Sequence, residues 1–128
     1  MKKISIVVPC YNEQEVLPYF YDEVSKLALD MPSVAFEFVF VDDGSLDCTL
    51  PMIKDLQRRD GRVKYLSFSR NFGKESAIYA GLKNAKGDYV AIIDADLQDP
   101  PMLIKDMYRI LINEGYDCVA TRRTNRRG

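Results

Sequence analysis

The sequence predicts an α/β fold in which a mostly parallel sheet is covered by helices on both faces. Three observations predict it. Short runs rich in Val, Ile and Phe alternate with segments whose apolar residues recur at helical spacing, in the order βαβαβαβαβ. Strands that alternate with helices pair in parallel through crossover connections, which leaves helices on the two faces. The length, 128 residues with 47% hydrophobic and 29% charged, suits a single domain able to bury a core.

The first strand is "ISIVVP", residues 4–9, a nearly pure apolar run of the kind found in a strand buried on both sides. After it, Val16, Leu17, Phe20, Val24 and Leu27 fall on one helical face. Asn12 followed by Glu15 resembles a capping box for this helix, with Pro18 tolerated in its first turn. "EFVFVD", residues 37–42, is the second strand, and Met52, Ile53 and Leu56 mark the second helix, for which Ser45 or Asp47 is the expected start. "RVKYLSF", residues 62–68, is the third strand, followed by a helix through Ala77, Ile78, Gly81 and Leu82. "DYVAIID", residues 88–94, is the fourth. Asp99 before Pro100 and Pro101 is a natural cap for a helix carrying Leu103, Met107, Ile110 and Leu111. A weaker fifth strand, "DCVATR", spans residues 117–122.

Composition narrows the chemistry. The net charge is −1, so no overall field favours nucleic acid or an anionic membrane, and the four arginines of "TRRTNRRG" are a local feature. With no histidine, imidazole acid/base chemistry and most zinc sites are excluded. Cys10, Cys48 and Cys118 form no CxxC pair and are expected to be reduced thiols of a cytosolic protein. No apolar run approaches the roughly 20 residues of a membrane span.

In parallel sheets ligands bind outside the carboxyl ends of the strands, where strand order reverses. The carboxyl ends here read "PCYNE" (9–13), "DDGS" (42–45), "SRNFGKE" (69–75) and "DADLQ" (94–98). Polar residues therefore crowd one rim. Asp94 and Asp96 point apart if the strand runs on through them, but converge on one cation if the backbone turns at Ala95. Two carboxylates suit a hard divalent ion, Mg²⁺ or Mn²⁺, which completes its shell with water and substrate phosphate. Capping accounts for Asp99 without chemistry, though not for Asp94 or Asp96. "DDGS" is read either as a plain turn or as a carboxylate accepting N–H bonds from a base or sugar. Tyr11 can stack on a base, and Arg70 and Lys74 can hold a pyrophosphate beside Gly73; packed or solvated surface side chains are the alternative.

"VVPCYNE", "VFVDDGSLDCT", "SRNFGKESAIYAGL" and "DADLQDPP", in this order and spacing, resemble the family 2 inverting glycosyltransferases of Rossmann-like GT-A fold. The similarity is greatest to the polyprenyl-phosphate group, the bactoprenol glucosyltransferases and dolichol-phosphate mannose synthases, and it covers essentially the whole chain. The resemblance implies that Pro9, Tyr11 and Glu13 line a nucleotide pocket and that Val41 and Asp43 hold the base. It implies that Asp94, Ala95 and Asp96 face the diphosphate, that Asp96 with Gln98 ligates Mg²⁺ or Mn²⁺ with help from Asp94, and that Arg122 or Arg123 lies near the donor. Lys74 is a further donor-side contact.

The implied donor is UDP-glucose, with GDP-mannose as the alternative, and the implied acceptor a polyprenyl phosphate or cell-envelope glycan. No nucleic-acid partner is expected. Members of the family continue past this length with an acceptor-binding half, often with membrane helices, so residues 1–128 read as the amino-terminal nucleotide-sugar-binding part. Weak or absent transferase activity is then expected, with the whole protein acting at the cytosolic face of a membrane. The family's next segment supplies a strand beside the fourth, so self-association through that edge is expected.

Other readings fit less well. A phosphoacceptor receiver domain places its acids after the first and third strands, whereas here they follow the second and fourth. Nucleotidyltransferases carry a Gly-rich loop after the first strand, and "PCYNE" has no glycine. A fragment that binds nucleotide without transferring a sugar remains compatible with the family resemblance.

Overall fold

The computed structural model of the chain describes residues 1–114. Its elements run β1 (Lys2–Cys10), α1 (Leu17–Asp30), β2 (Val34–Asp42), α2 (Thr49–Arg59), β3 (Val63–Ser67), α3 (Lys74–Asn84), β4 (Tyr89–Ile92) and α4 (Leu103–Glu114). The four strands form one parallel sheet in the order β3-β2-β1-β4. The expected α/β architecture is therefore present, and "DCVATR" lies outside the described residues.

Alternation along the strands divides the core. Ile4, Ile6 and Val8 of β1 and Phe36, Phe38 and Phe40 of β2 pack with α1, Ile53 and Leu56 of α2, and Ile104 of α4. Val7, Val39 and Val41 point the other way and pack with Ala77 of α3. The α3 side is the tighter of the two, because a Cβ on Gly81 would stand 2.4 Å from Val7 Cγ1. Only a glycine lets the helix approach this closely.

The α3 face also buries a carboxylate. Glu37, 1% exposed, accepts hydrogen bonds from Ser5 Oγ, Lys64 Nζ and the Lys86 N–H, while Ser5 Oγ accepts from the Gly87 N–H. The turn entering β4 is thereby tied to the middle of the sheet. Burial alone pushes the Glu37 carboxyl up, but these donors and the Lys64 charge outweigh it and hold the group at about 2.

Three expected helix starts differ from those observed. α1 begins at Leu17 with Pro18 in its first turn, and no side chain caps it. Asn12 instead adopts φ 54° and accepts a hydrogen bond from the Leu46 N–H at 2.8 Å, so a contact distant in sequence replaces the capping box. α2 begins at Thr49; Asp47 Oδ1 accepts from the Thr49 N–H and hydroxyl, with Cys48 between them. α4 begins at Leu103, after a turn in which the N–H groups of Leu103 and Ile104 bond the carbonyls of Pro100 and Pro101.

Successive strands step outward from β1 to β2 to β3, and then the chain crosses back over α3 to place β4 on the other flank of β1. Strand order thus reverses between β1 and β4. The crevice above their carboxyl ends is where this topology places a ligand.

Candidate active site

Two loops build one wall of that crevice. The Asp43 N–H bonds the Cys10 carbonyl at 2.8 Å and carries the β1–β2 pairing to the rim. Beyond it the loop after β1 and the loop after β2 bond each other. The Asn12 N–H donates to Ser45 Oγ, the Glu13 N–H to Thr49 Oγ1, the Gln14 N–H to Asp47, and the Cys48 N–H to the Gln14 side chain. Both loops are fixed by this exchange, which holds Tyr11, 42% exposed, at the rim.

The acid pair after β2 divides its work. Asp43 is buried, and its carboxylate accepts the N–H groups of Phe72 and Gly73 at 2.7 and 3.0 Å and the Asn71 amide at 3.1 Å. It thereby fixes the segment that enters α3. Asp42 is equally buried and accepts from the Ser45 N–H through Oδ2, but its Oδ1 meets no donor among the described residues. Sequence reasoning missed Asp42 and Asn71, because nothing in "DDGS" distinguishes the carboxylate bound by the next loop from the one left with a spare oxygen.

The turn after β4 supplies the opposite wall. The strand stops at Ile92, and the chain turns through Ala95 and Asp96, with Leu97 at φ 60° and its N–H on the Asp94 carbonyl at 3.3 Å. Ala95 is fully buried in the core and offers the rim no exposed surface of its own. Asp96 is exposed and accepts from the Gln98 N–H and side-chain amide. Asp94 is paired with Lys74 at 2.6 Å.

These walls share a field. Burial raises the pKa of Glu13; the Tyr11 N–H opposes that rise, and the charges of Asp96, Asp94 and Asp47 reinforce it. Burial also pushes the Cys10 thiol well up, with Glu13 and Asp42 adding to the rise, so this cysteine is no thiolate nucleophile.

The expected residues are thus gathered, with differences in what each can offer. Tyr11, Glu13, Asp94, Asp96 and Gln98 lie on the loops around the β1–β4 crevice, and Lys74 at the first position of α3. Pro9 and Val41 are buried partners in the β1–β2 register, and the Val41 side chain lies beneath Gly81. Arg122 lies outside the described residues, as does Arg123. Among the described residues no three His, Cys, Asp or Glu side chains are arranged to hold a metal ion. The donor set of Asp94, Asp96 and the Gln98 amide is all oxygen. That fits Mg²⁺ or Mn²⁺ held by one or two carboxylates together with the phosphates of its ligand.

The model of the family described as Glycosyl transferase family 2 matches residues 5–128. The chain belongs to glycosyl transferase family 2. Within it, the chain is 44% identical over 124 residues to the prophage bactoprenol glucosyl transferase homolog of Escherichia coli, a match covering 97% of this chain and 40% of that protein. A bactoprenol glucosyl transferase of Shigella phage SfV matches to the same extent. The chain spans about 40% of the length of these family 2 relatives. Among solved structures it superposes on S. aureus TarS with a TM-score of 0.77 and 26% identity, covering 98% of this chain and 37% of that one. TarS has also been solved in complex with UDP-GlcNAc, with a TM-score of 0.76 to this chain. The family 2 domain here therefore has a GT-A glycosyltransferase fold.

Proposed function

We propose that this chain is the donor-binding part of an inverting glycosyltransferase that moves a sugar from a nucleoside diphosphate sugar, UDP-glucose, to a polyprenyl phosphate. The observation that carries the reading is the set of Glu13, Asp94 and Asp96 on loops flanking the β1–β4 switch point, with Lys74 at the start of α3 paired to Asp94. The family 2 relatives named for bactoprenol glucosyl transfer and the UDP-GlcNAc complex of TarS support it.

In this reading the base stacks on Tyr11, with Pro9 and the Val41 backbone beneath it. Asp43 holds the 71–73 segment as one side of the base pocket. Asp94, Asp96 and Gln98 would hold Mg²⁺ or Mn²⁺, which supplies charge stabilisation to the departing diphosphate. By the family resemblance, Arg122 or Arg123 would add a second cation for the donor. A polyprenyl phosphate is largely ionised near neutral pH, its second pKa being about 6, so its attack requires positioning more than a general base. The whole protein works at the cytosolic face of a membrane, in keeping with the free Cys10 and Cys48.

Calorimetric titration with UDP tests the donor site. Binding is expected with Mn²⁺ present, and Asp96→Ala should weaken it at least about tenfold, the order expected when a charged group holding a desolvated ligand is removed. A folded sample that binds UDP equally with and without Mn²⁺, or not at all, would remove the proposal. GDP run in parallel decides between the UDP-glucose and GDP-mannose readings.

Self-association is proposed through β4, whose outer edge is unpaired among the described residues and whose Val90 and Ile92 are half exposed. Sedimentation velocity should show mass rising with concentration; a constant monomer over a hundredfold range, roughly that needed to cover weak pairing, would count against it.

A further inference from the structure

Lys74 stands at the first position of α3. A helix N-terminus carries partial positive charge, so a cation there is locally unfavourable and an anion preferred. Glu75 beside it has the expected sign. Such a local conflict marks a residue kept for another reason. Its partner supplies that reason: Lys74 Nζ lies 2.6 Å from Asp94 Oδ1, across the crevice from α3 to the turn after β4.

Asp94 has other anions nearby. Glu13 senses the charges of Asp96, Asp94 and Asp47, so the carboxylates of this rim share one field. Lys74 is the cation that the described structure pairs with this group. Asp94 and Asp96 against this one ammonium leave net negative charge, to which a divalent cation is drawn. A diphosphate arriving with that cation brings new negative charge, and needs a cation of its own.

We propose that Lys74 is a partner-exchanging counter-ion. It neutralises Asp94 while no donor is bound, and it moves to the diphosphate when the metal-bound donor enters, which releases Asp94 to the metal. The inference rests on the donor-site reading above. The exchange is feasible because the Lys74 side chain is 58% exposed, on a flexible stem with three rotatable donors. A pair open to solvent on one side is weak enough to part without a large barrier.

The role makes two affinities move in opposite directions. The test compares the whole chain with Lys74→Met and Lys74→Arg. Mn²⁺ binding without nucleotide is read from the paramagnetic resonance of the free ion, and UDP binding at saturating Mn²⁺ from calorimetry. Lys74→Met should tighten Mn²⁺ alone about threefold to tenfold, because a competing unit charge has gone from Asp94, and weaken UDP about tenfold. Lys74→Arg, which keeps the charge, should return both toward the parent values.

A Lys74→Met chain that binds Mn²⁺ no more tightly, or loses both affinities together, overturns the exchange. Loss of UDP binding alone leaves Lys74 an ordinary donor contact; the donor-site reading then stands and this inference falls. A parent chain that is folded yet binds no Mn²⁺ and UDP together sinks both.

Discussion

Gly44→Ala is expected to lower stability by about 3 kcal/mol and the melting temperature by roughly 10 °C, the range for a clash at a strained backbone position in a domain of this size. Gly44 sits at φ +73°, where a Cβ costs about 1–2 kcal/mol before any contact is considered. The new methyl would also stand 2.3 Å from the Arg70 carbonyl carbon and 2.5 Å from the Asn71 nitrogen. Both are backbone atoms, so the 70–73 segment must shift. That segment is the one Asp43 holds through Phe72, Gly73 and Asn71, and it leads into Lys74. UDP binding should therefore fall along with stability. A melting curve within about 2 °C of the parent, less than 1 kcal/mol for a chain this long, would show that the two loops do not lean on each other.

Glu37→Gln should cost about 2 kcal/mol at neutral pH, and the cost should vanish in acid. The carboxyl is held at about 2 in the folded chain, well below its unfolded value near 4.5. A depressed acid stabilises the fold fully above the unfolded value and loses that contribution as pH falls toward the folded one. Linkage alone gives roughly 3 kcal/mol for a shift of this size. The expected cost is smaller because Lys64 is half exposed and its charge partly screened by solvent. Urea unfolding at several pH values checks the sign. The parent should lose stability between about pH 5 and pH 2 more steeply than the variant, since only the parent has this proton to take up. Parallel pH curves would mean that Glu37 does not carry the acid sensitivity.

The strands were legible because a sheet buried on both faces requires continuous apolar runs, and "ISIVV" and "FVFV" admit little else. The rim was legible for the complementary reason: carboxylates at the end of such runs have no place in the core, and the topology gathers them. Asn12 was misread because a capping box and a loop-to-loop strut use the same side chain. The choice between them rests on Ser45 and Leu46, more than thirty residues away. Glu37 looked like the polar start of a strand; the ring of donors from β1, β3 and the turn before β4 that buries it is visible only once those elements are side by side. Asp42 and Asp43 carry the same chemistry in sequence, and their roles are separated by the Asn71 amide and the Phe72 and Gly73 N–H groups, which bond Asp43.

The strand order also dictates the sequence of assembly. β1 is made before the other three strands and lies in the interior of the sheet, where Ile4 to Val7 pair with Tyr89 to Ile92. β1, β2 and β3 can join once Ser67 has emerged, but one flank of β1 then stays bare through the synthesis of all of α3. Pairings between residues this far apart form slowly, because a long loop must close before any bond rewards it. During that interval the apolar run of β1 is open to any other strand in reach, and nascent chains held at residues between β3 and β4 are where chaperone capture should be greatest.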